Sequence, residues 1–211
     1  MQRSRPLPTT TFEGTNDLPS GNALEFWQWA YGDILDDDVK GAFAEWLVHK
    51  LLGVVTPRRV SWANSDVITP EGVRIEVKST VVWQSWKLLD ERGLPEAKPK
   101  HPPIQDDRKI RFSGLKARDS TAVPDSSKPK AFKSDLYVFA FQHNADPATW
   151  SAFDLSQWEF FVVPTAKLAE LGWESISLAT LRSKFRRLTA GELAVQGREA
   201  VQTIARRKND A

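Results

Sequence analysis

The clearest hydrophobic pattern in the chain is the stretch from Val73 to Thr80, VRIEVKST, in which apolar and polar residues alternate. A period of two is typical of a β-strand, because successive side chains point to opposite faces. The apolar residues are therefore predicted to face a core, and the opposite face carries Arg74, Glu76 and Lys78. A carboxylate thus lies beside an ammonium group on one face of this strand.

The rest of the pattern predicts further helices and strands. Apolar residues at helical spacing follow three aspartates and precede Gly53, which predicts a helix from about 37 to 52. Strands at 58–63, 66–69 and 73–80 form a predicted antiparallel meander. Further strands are expected at 109–115, 134–141 and 158–163, and further helices at 24–31, 165–171, 177–188 and 190–207. The helix at 24–31 is rich in aromatic residues and is expected to dock on the core.

Length and composition indicate one main domain. The chain has 211 residues, 41% of them hydrophobic, with nine tryptophans that can supply much of a core. We divide it into an N-terminal arm (1–22), a domain of the α/β (α+β) class (23–188) and a basic C-terminal helix (189–211). Within the domain, residues 87–133 are basic and rich in proline, and they are predicted to form a long, partly mobile insertion.

Several residue types and segments are absent from the sequence. It contains no cysteine, which excludes disulfides and thiolate zinc sites and suits a reducing cytoplasm. We expect no signal peptide and no membrane partner, because no stretch approaches the roughly 20 apolar residues of a membrane span. The three histidines are dispersed, and neither a Gly-rich phosphate loop nor a Gly-x-Ser-x-Gly motif occurs. A cytoplasmic location is therefore predicted.

Charge is distributed unevenly, although the net charge is only +2. Residues 1–46 hold eight acidic and three basic residues, whereas 181–208 hold eight basic and two acidic ones. Residues 87–133 hold twelve basic and seven acidic residues. Basic segments suit a polyanionic ligand. Ordinary solvated faces remain the simpler explanation of the charges when composition is taken alone.

At four places an acidic residue stands two positions before a lysine. One of these triplets begins a helix, and two lie in the basic insertion. Only the triplet from Glu76 to Lys78 lies in an alternating strand that follows another acidic residue, Asp66, on the preceding strand. Taken alone, this triplet is more simply a solvent-exposed ion pair between strand residues.

Combined with Asp66, the triplet has the chemistry of a metal site. Asp66 and Glu76 are predicted to hold Mg²⁺ or Mn²⁺, and the backbone carbonyl of Val77 adds a third oxygen. A bound cation lowers the pKa of a coordinated water and neutralises charge on a phosphate. Lys78 would then orient or deprotonate that water, or stabilise the transition state of phosphodiester cleavage.

Two further residues extend this set. Glu45 lies close to the apolar stripe of the helix at 37–52, where it could contact a metal ion through water. The alternative is an ion pair with His49 or Lys50 at helical spacing. Gln84 follows the strand at 73–80 between two tryptophans. It could position the water, a ligand or Lys78, or its amide could simply bind to the backbone.

The order of Glu45, Asp66, Glu76, Lys78 and Gln84 resembles the PD-(D/E)XK nuclease superfamily. The resemblance covers about 37–86 for the motifs and extends to about 37–164 for the core, and one departure is that Ser65, not proline, precedes Asp66. It implies a restriction-endonuclease-like core, with a mixed sheet that contains an antiparallel meander flanked by helices. It also implies a Mg²⁺-dependent nuclease acting on DNA, in bacterial defence, repair or recombination.

Alternatives to this function remain open. The chain could be a catalytically silent nucleic-acid- or protein-binding module of the same fold, or a nuclease that acts on RNA. A homodimer is a further expectation, because cutting both strands of a duplex often uses two active sites. Cations predicted to contact phosphates are Lys128, Lys130, Lys133, Arg182, Arg186 and Arg187, and an ordinary basic surface explains them equally well.

Overall fold

The computed structural model describes residues 6–11, 21–55, 59–60, 63–83, 103–118 and 129–210. Its helices are α1 (Ala23–Tyr31), α2 (Asp37–Leu52), α3 (Thr165–Leu171), α4 (Leu178–Lys184) and α5 (Ala190–Asn209). Its strands are β1 (Val67–Ile68), β2 (Arg74–Val81), β3 (Arg111–Phe112), β4 (Leu136–Gln142), β5 (Trp158–Pro164) and β6 (Ile176–Ser177). The protein is therefore of the mixed α/β class that the sequence predicts.

A four-stranded mixed sheet with the order β1-β2-β4-β5 forms the centre of the molecule. β1 and β5 run antiparallel to their neighbours, whereas β2 and β4 pair in parallel from Ile75↔Leu136 to Val81↔Gln142. β3 and β6 form a separate antiparallel pair. β2 thus lies between a long partner on one side and the two-residue β1 on the other, which leaves most of its outer edge to other groups.

Both faces of the sheet are covered. On one face, Ile75, Val77 and Val138 join a core cluster with apolar residues of α2 and α5. On the other face, Tyr137 and Phe139 join a second cluster with residues of β3, β6, α3 and α4. Every residue of β4 is buried, which explains why its sequence is almost continuously apolar instead of alternating.

Local signals set the ends of the predicted helices. The Asp36 side chain accepts a hydrogen bond from the amide of Asp38 at the start of α2, and Gly53 ends the helix with φ of 72°. Thr189 and Glu192 form a capping box at the start of α5. The predicted helix at 37–52 is confirmed, as is the helix at 165–171, and the strand at 73–80 corresponds to β2.

Other predictions about the elements are wrong. In the predicted strand at 58–63, the described residues 59, 60 and 63 are not in a strand, so the described meander is reduced to the β1–β2 hairpin. The helix predicted at 177–188 ends at Lys184. The chain leaves the helix because Leu188 is buried and exchanges two backbone hydrogen bonds of 2.9 Å with Phe160 on β5.

Helix α1 forms as predicted, but the prediction that it docks on the core is wrong. None of its residues is buried, and Trp29 is 85% exposed. A capping box between Asn22 and Glu25 stabilises the helix locally. The amide of Leu24 also donates to the carbonyl of Pro8, which ties the helix to part of the N-terminal arm.

The described part of the insertion, residues 103–118 and 129–133, contributes to the core. Ile110, Phe112 and Leu115 are buried in the second cluster, where the Phe112 and Phe139 rings meet edge to face. The strand predicted at 109–115 is shorter than expected and consists of β3 alone. Within the described residues, no helix combines the length and the apolar character that crossing a membrane requires.

Candidate active site

Asp66 lies immediately before β1, at the edge of β2. Its amide donates to the carbonyl of Ile75 (3.1 Å), which continues the β1–β2 pairing by one residue. Its side-chain Oδ2 then accepts a hydrogen bond from the amide of Val77 (2.7 Å). The carboxylate of Asp66 therefore accepts the hydrogen bond that the backbone of a longer β1 would accept at this position along the edge of β2.

The direction of the Val77 amide also fixes the direction of its carbonyl. In a strand, the N–H and C=O groups of one residue point to the same edge, and the edge alternates from one residue to the next. The carbonyl of Arg74 points to the β4 side and accepts a hydrogen bond from the amide of Asp135. The carbonyl of Ile75 points to the opposite side and accepts a hydrogen bond from the amide of Asp66. The Val77 carbonyl therefore points to the outer edge of β2, on the side of Asp66.

Glu76 and Lys78 share the face of β2 that carries the second core cluster, next to Tyr137 and Phe139 on β4. Lys78 Nζ lies 2.8 Å from Glu76 Oε1, and Ser134 Oγ lies 3.5 Å from Glu76 Oε2. The ion pair considered as the simpler explanation of the triplet is present. It is not a fully solvated pair, because the side chains of Lys78 and Glu76 are only 24% and 18% exposed.

The carboxylate of Asp66 is electrostatically unfavourable in this position. Burial, followed by repulsion from Glu76 and Glu45, raises the pKa of Asp66 to about 7. The Val77 amide and the Lys78 ammonium act in the opposite direction but do not compensate for these effects. Glu45 and Glu76 therefore both lie within electrostatic range of Asp66.

Glu45 on α2 is bound by an arginine that sequence reasoning did not include in the site. Arg59 Nε and Nη2 lie 2.5 and 2.7 Å from the two Glu45 carboxylate oxygens, a bidentate arrangement. The Glu45 side chain is 12% exposed and that of Arg59 is 51% exposed. The alternative partners, His49 and Lys50, do not pair with Glu45; Lys50 instead lies over the Trp46 ring.

His49 is a second residue of the site that sequence reasoning missed. Its Nε2 lies 3.2 Å from the backbone carbonyl of Asp66, so it fixes the backbone that carries the carboxylate. Its Nδ1 is buried without a hydrogen-bond partner among the described residues. The available sequence signal was its position one helical turn after Glu45, on the same face of α2.

The insertion brings a backbone turn next to Lys78. Gly114 has φ of +67°, and a side-chain Cβ at this glycine would lie 3.7 Å from Lys78 Nζ. The adjacent carbonyl of Leu115 accepts a hydrogen bond of 2.5 Å from the Tyr137 hydroxyl on β4. Tyr137 therefore anchors the part of the insertion that borders Lys78.

Gln84 and Lys128, two residues of the predicted site and surface, lie outside the described residues. Of the other predicted phosphate-binding cations, Lys130 lies 3.9 Å from Glu174, and Arg186 lies 2.6 Å from Glu192. For Lys133, no ion pair with a described residue is observed. The structure thus gives two of these cations acidic neighbours on the surface.

Arg182 has an internal role. Its Nε and Nη2 atoms each lie 2.9 Å from an oxygen of Glu159, whose side chain is 4% exposed, and Nη1 lies 2.5 Å from Asp107. Arg187 Nη1 lies 3.8 Å from the same glutamate. These contacts explain why a glutamate can be buried in β5, and they use most of the hydrogen-bonding capacity of Arg182.

The donor set at the edge of β2 can be compared with the needs of a hard divalent cation. Within the described part of the chain, no group of three or more His, Cys, Asp or Glu side chains is placed to hold a metal ion. The set consists of Asp66, Glu76 and the Val77 carbonyl. Two carboxylates and a carbonyl fit Mg²⁺, which usually retains several waters and binds through one or two carboxylates.

Comparisons of the chain with protein-family models, with curated proteins and with solved structures give no match, so the chemistry of this site is inferred from its own residues.

Proposed function

We propose that this protein is a Mg²⁺-dependent nuclease that hydrolyses phosphodiester bonds in DNA. One observation carries the proposal: the carboxylate of Asp66 is buried at the edge of β2, near Glu76 and Lys78, and no lysine or arginine among the described residues forms an ion pair with it. This arrangement keeps two carboxylates and an ammonium group close to the same stretch of β2, with Asp66 at its edge and Glu76 and Lys78 on one of its faces. It also accords with the resemblance of the residue order to the PD-(D/E)XK superfamily.

The energetics of Asp66 favour a functional interpretation over a purely structural one. A buried carboxylate ordinarily has a cation or several hydrogen-bond donors, because removing it from water is costly. Among the described residues, Asp66 has one backbone donor and two carboxylate neighbours, and the Lys78 ammonium that attracts it is paired with Glu76. Groups that are destabilised in this way concentrate at functional sites, where a ligand supplies the missing interaction. A divalent cation is the ligand whose charge matches this deficit.

Asp66, Glu76 and the Val77 carbonyl are the residues that would hold the cation. When bound, Mg²⁺ supplies a coordinated water of lowered pKa and neutralises charge on the phosphate. The carboxylates then fix where the scissile phosphate lies relative to β2. The Val77 amide keeps the Asp66 carboxylate in position, because it donates to Oδ2.

Lys78 supplies the third chemical group. Its Nζ lies beside Glu76 Oε1, so an ammonium group is held within one hydrogen bond of the carboxylate that would face the phosphate. In this position it can donate to the nucleophilic water or to a phosphate oxygen, and it stabilises the negative charge that develops there. Gly114 leaves room beside Nζ, because a glycine has no side chain to approach it.

The experiment that tests this function is a cleavage assay with substrate and metal varied independently. Supercoiled plasmid, linear duplex DNA, single-stranded DNA and RNA would each be incubated with Mg²⁺, Mn²⁺ or EDTA. We expect DNA cleavage with Mg²⁺ and none with EDTA, and we expect Asp66→Asn and Lys78→Ala to reduce it by at least about 10²-fold. Cleavage of RNA but not of DNA would show that RNA is the substrate of the proposed nuclease.

A matched control is available on α3, where Lys167 and Glu170 form an exposed ion pair of 3.1 Å. Lys167→Ala removes an ammonium group from an ordinary surface pair and should leave cleavage unchanged. Cleavage that persists in Asp66→Asn at the rate of the Lys167→Ala protein would refute the assignment of the site.

A second function, a nucleic-acid-binding module without turnover, is favoured by a different observation. Two of the three site carboxylates are already bound by cations, Glu76 by Lys78 and Glu45 by Arg59. Such a module would bind DNA in a salt-dependent manner without divalent-dependent cleavage. Measuring DNA binding at several salt concentrations, in parallel with the cleavage assay, separates the two functions.

A further inference from the structure

Two parts of the insertion region that are distant in sequence meet beside the ion pair of Glu76 and Lys78. Gly114 is next to Lys78, because a Cβ at this glycine would lie 3.7 Å from Nζ. Ser134 Oγ donates to Glu76 Oε2 at 3.5 Å. The chain that continues from residue 114 and the chain that leads to residue 134 therefore both begin or end at the candidate site.

These two stretches of chain pair with each other. Ala117 and Ala131 form an antiparallel bridge and exchange backbone hydrogen bonds of 3.0 and 3.1 Å. Tyr137 on β4 holds both stretches: its hydroxyl donates to the Leu115 carbonyl at 2.5 Å, and its ring meets the Phe132 ring edge to face at 5.9 Å between centroids. The result is a short two-stranded segment fixed to the sheet next to the candidate site.

This segment, residues 115–118 and 129–133, is called the basic ribbon here because it carries four cations and no acidic residue: Lys116, Arg118, Lys130 and Lys133. The antiparallel bridge places Arg118 and Lys130 at facing positions of the two strands, and both residues are exposed. Like charges at facing positions repel each other, so an anion that contacts both is favoured there.

The described neighbours of the basic ribbon leave it positively charged. Lys116 has a structural role, because its Nζ donates to the Gly172 carbonyl at the end of α3 (3.2 Å) and lies 5.3 Å from the centroid of the Phe132 ring. Lys130 lies 3.9 Å from Glu174, but the two side chains are 46% and 65% exposed, and ion pairs this exposed are weak.

We propose that the basic ribbon binds the phosphate backbone of DNA beside the scissile bond, through Arg118, Lys130 and Lys133. The inference rests on the proposed function, because the candidate site defines where the scissile phosphate lies. Arg118 is four residues after Gly114, a span of at most about 14 Å. One strand of a duplex covers that distance in about four nucleotides. The phosphates within reach of the ribbon are thus close neighbours of the bond to be cleaved.

Phosphate is the anion that suits these side chains. A guanidinium binds phosphate oxygens through two parallel hydrogen bonds, and an ammonium group acts as a point charge beside them. Contacts of this kind fix the position and orientation of a nucleic acid without reading its sequence. The basic ribbon would therefore hold DNA of any sequence against the candidate site.

The test is binding of a short fluorescein-labelled DNA duplex to the full-length protein, measured by fluorescence anisotropy at several NaCl concentrations. EDTA is present, so metal-dependent cleavage does not interfere. The plot of log affinity against log salt concentration should be less steep by about two units in Arg118→Ala/Lys130→Ala than in the wild type, because each lost phosphate contact removes about 0.9 unit. Lys133→Ala should reduce the slope by about one unit.

A matched control removes the same two residue types beside α4. Arg108 follows Asp107, whose carbonyl accepts from the amide of Ala179, and Lys184 is the last residue of α4. Both cations are exposed. Arg108→Ala/Lys184→Ala changes the net charge equally and should keep the salt dependence of the wild type. A ribbon variant that also keeps it, or a control that loses as much as the ribbon variant, overturns the inference.

The cleavage assay tests where the ribbon lies relative to the reaction. In an active protein, Arg118→Ala/Lys130→Ala should raise KM and leave kcat unchanged, because it removes binding that substrate and transition state share. An unchanged KM overturns the proposed position beside the scissile bond. If circular dichroism shows that this variant does not fold, Arg118→Gln/Lys130→Gln, which removes both charges but keeps polar side chains, takes its place.

Failure of this inference is distinguishable from failure of the proposed function. If the ribbon variant loses salt-dependent binding but the wild type cleaves nothing, the ribbon binds DNA and the nuclease proposal is refuted. If the wild type cleaves DNA and the ribbon variant binds DNA as the wild type does, the nuclease proposal stands and the ribbon is refuted. A wild-type protein that binds RNA but not DNA overturns the choice of ligand.

Discussion

Two clusters of charged residues lie within the sheet region, and they differ in how their carboxylates are compensated. Glu159 on β5 is 4% exposed, yet Arg182 binds both of its oxygens at 2.9 Å and Arg187 lies 3.8 Å away. Asp66 beside β2 accepts one backbone hydrogen bond and has two carboxylates as neighbours. Burial of an acid therefore does not by itself distinguish the two clusters. Within the described part of the chain, they differ in whether a cation forms an ion pair with the buried carboxylate.

This difference has a physical meaning for each cluster. The cation contacts of Glu159 hold α4 against β5, because Arg182 extends from the helix to the strand and lies over the Phe141 ring at 5.8 Å from its centroid. The Asp66 cluster also connects elements, because Asp66 accepts from the Val77 amide and His49 on α2 contacts the Asp66 carbonyl, but the raised pKa of Asp66 means that ionising this carboxylate destabilises the fold. One cluster is a structural ion pair, and the other contains a buried carboxylate whose ionised form is disfavoured.

The largest contrast is expected in activity. If the nuclease proposal is correct, Lys78→Ala should reduce cleavage by about 10²- to 10⁴-fold, the usual size of the effect of a catalytic acid, base or charge stabiliser. Arg182→Lys should leave cleavage within about twofold of wild type, because Arg182 binds Glu159 on β5, which β4 separates from β2 in the sheet. Initial rates on linear duplex DNA at saturating Mg²⁺ provide the measurement.

The interpretation of this contrast requires folded variants. Near-ultraviolet circular dichroism, which reports on the packing of the tryptophans, should be unchanged in Lys78→Ala. A loss of cleavage of similar size in both variants would mean that the two clusters do not differ in function.

The second contrast is that substitutions in the two clusters should change the free energy of unfolding in opposite directions. Arg182→Ala should lower the free energy of unfolding by about 3 kcal/mol, because it leaves the buried Glu159 without its main partner. Asp66→Asn should raise it by about 2 kcal/mol at pH 8, because it removes an uncompensated charge while Asn can still accept from the Val77 amide. Urea denaturation in EDTA measures both values.

Added divalent cation supplies the control for this second contrast. Mg²⁺ should stabilise the wild-type protein and not Asp66→Asn, since a ligand that binds only the folded state adds to its stability. If Asp66→Asn is less stable than wild type at pH 8 in EDTA, the folded protein stabilises the charge of the Asp66 carboxylate. The stated difference between the Asp66 and Glu159 clusters is then refuted.

The third contrast concerns pH. Within any narrow pH interval, the expected change in the free energy of unfolding is smaller than the two effects above. The pKa of Asp66 is raised to about 7 in the folded protein, from an ordinary value of 3.8. Between these two values the folded state binds a proton that the unfolded state has lost, so this group makes the protein less stable as pH rises from about 4 to about 7. Above pH 7 its contribution is constant.

The free-energy difference between Asp66→Asn and the wild type should therefore grow from pH 5 to about pH 7 and then level off. The same urea experiment, repeated in half-unit pH steps, measures this trend, and Arg182→Lys serves as a control in which the trend of the wild type should persist. A pH-independent difference between Asp66→Asn and the wild type would show that the Asp66 charge is not the cause of its effect.

The sequence predicts the strand that carries the site more completely than it predicts the surroundings of the site. The alternation of VRIEVKST reflects local geometry, and β2 has the expected faces, with Ile75 and Val77 in one core. The position of Asp66 follows from the short turn before β2. These features depend on residues close together in the chain, where periodicity and turn chemistry are informative.

Contacts between distant segments were not predictable in this way. Arg59 lies in a segment that periodicity assigned to a strand, and its binding to Glu45 depends on how α2 packs against the sheet. Similarly, the end of α4 at Lys184 is determined by the pairing of Leu188 with Phe160, which no local signal reveals. Such tertiary interactions override helical propensity.

The smallest expected effect tests whether the packed part of the insertion positions Lys78. Gly114→Ala should cost about 1 kcal/mol, because φ of +67° is unfavourable for a residue with a side chain. It should also reduce cleavage several-fold, since relief of the strained φ would shift the turn that borders Lys78 Nζ. Gly41→Ala is the matched control: it lies in α2 with nothing within 4 Å of the added Cβ, and it should stabilise the helix by about 0.5–1 kcal/mol.

The Glu159 cluster does not involve Gly114, so the changes in the free energy of unfolding caused by Arg182→Ala and by Gly114→Ala should add in the double variant. If Gly114→Ala lowers stability but leaves cleavage unchanged, the insertion supports the fold without positioning the lysine, and the chemical difference between the two clusters resides in the β1–β2 edge alone.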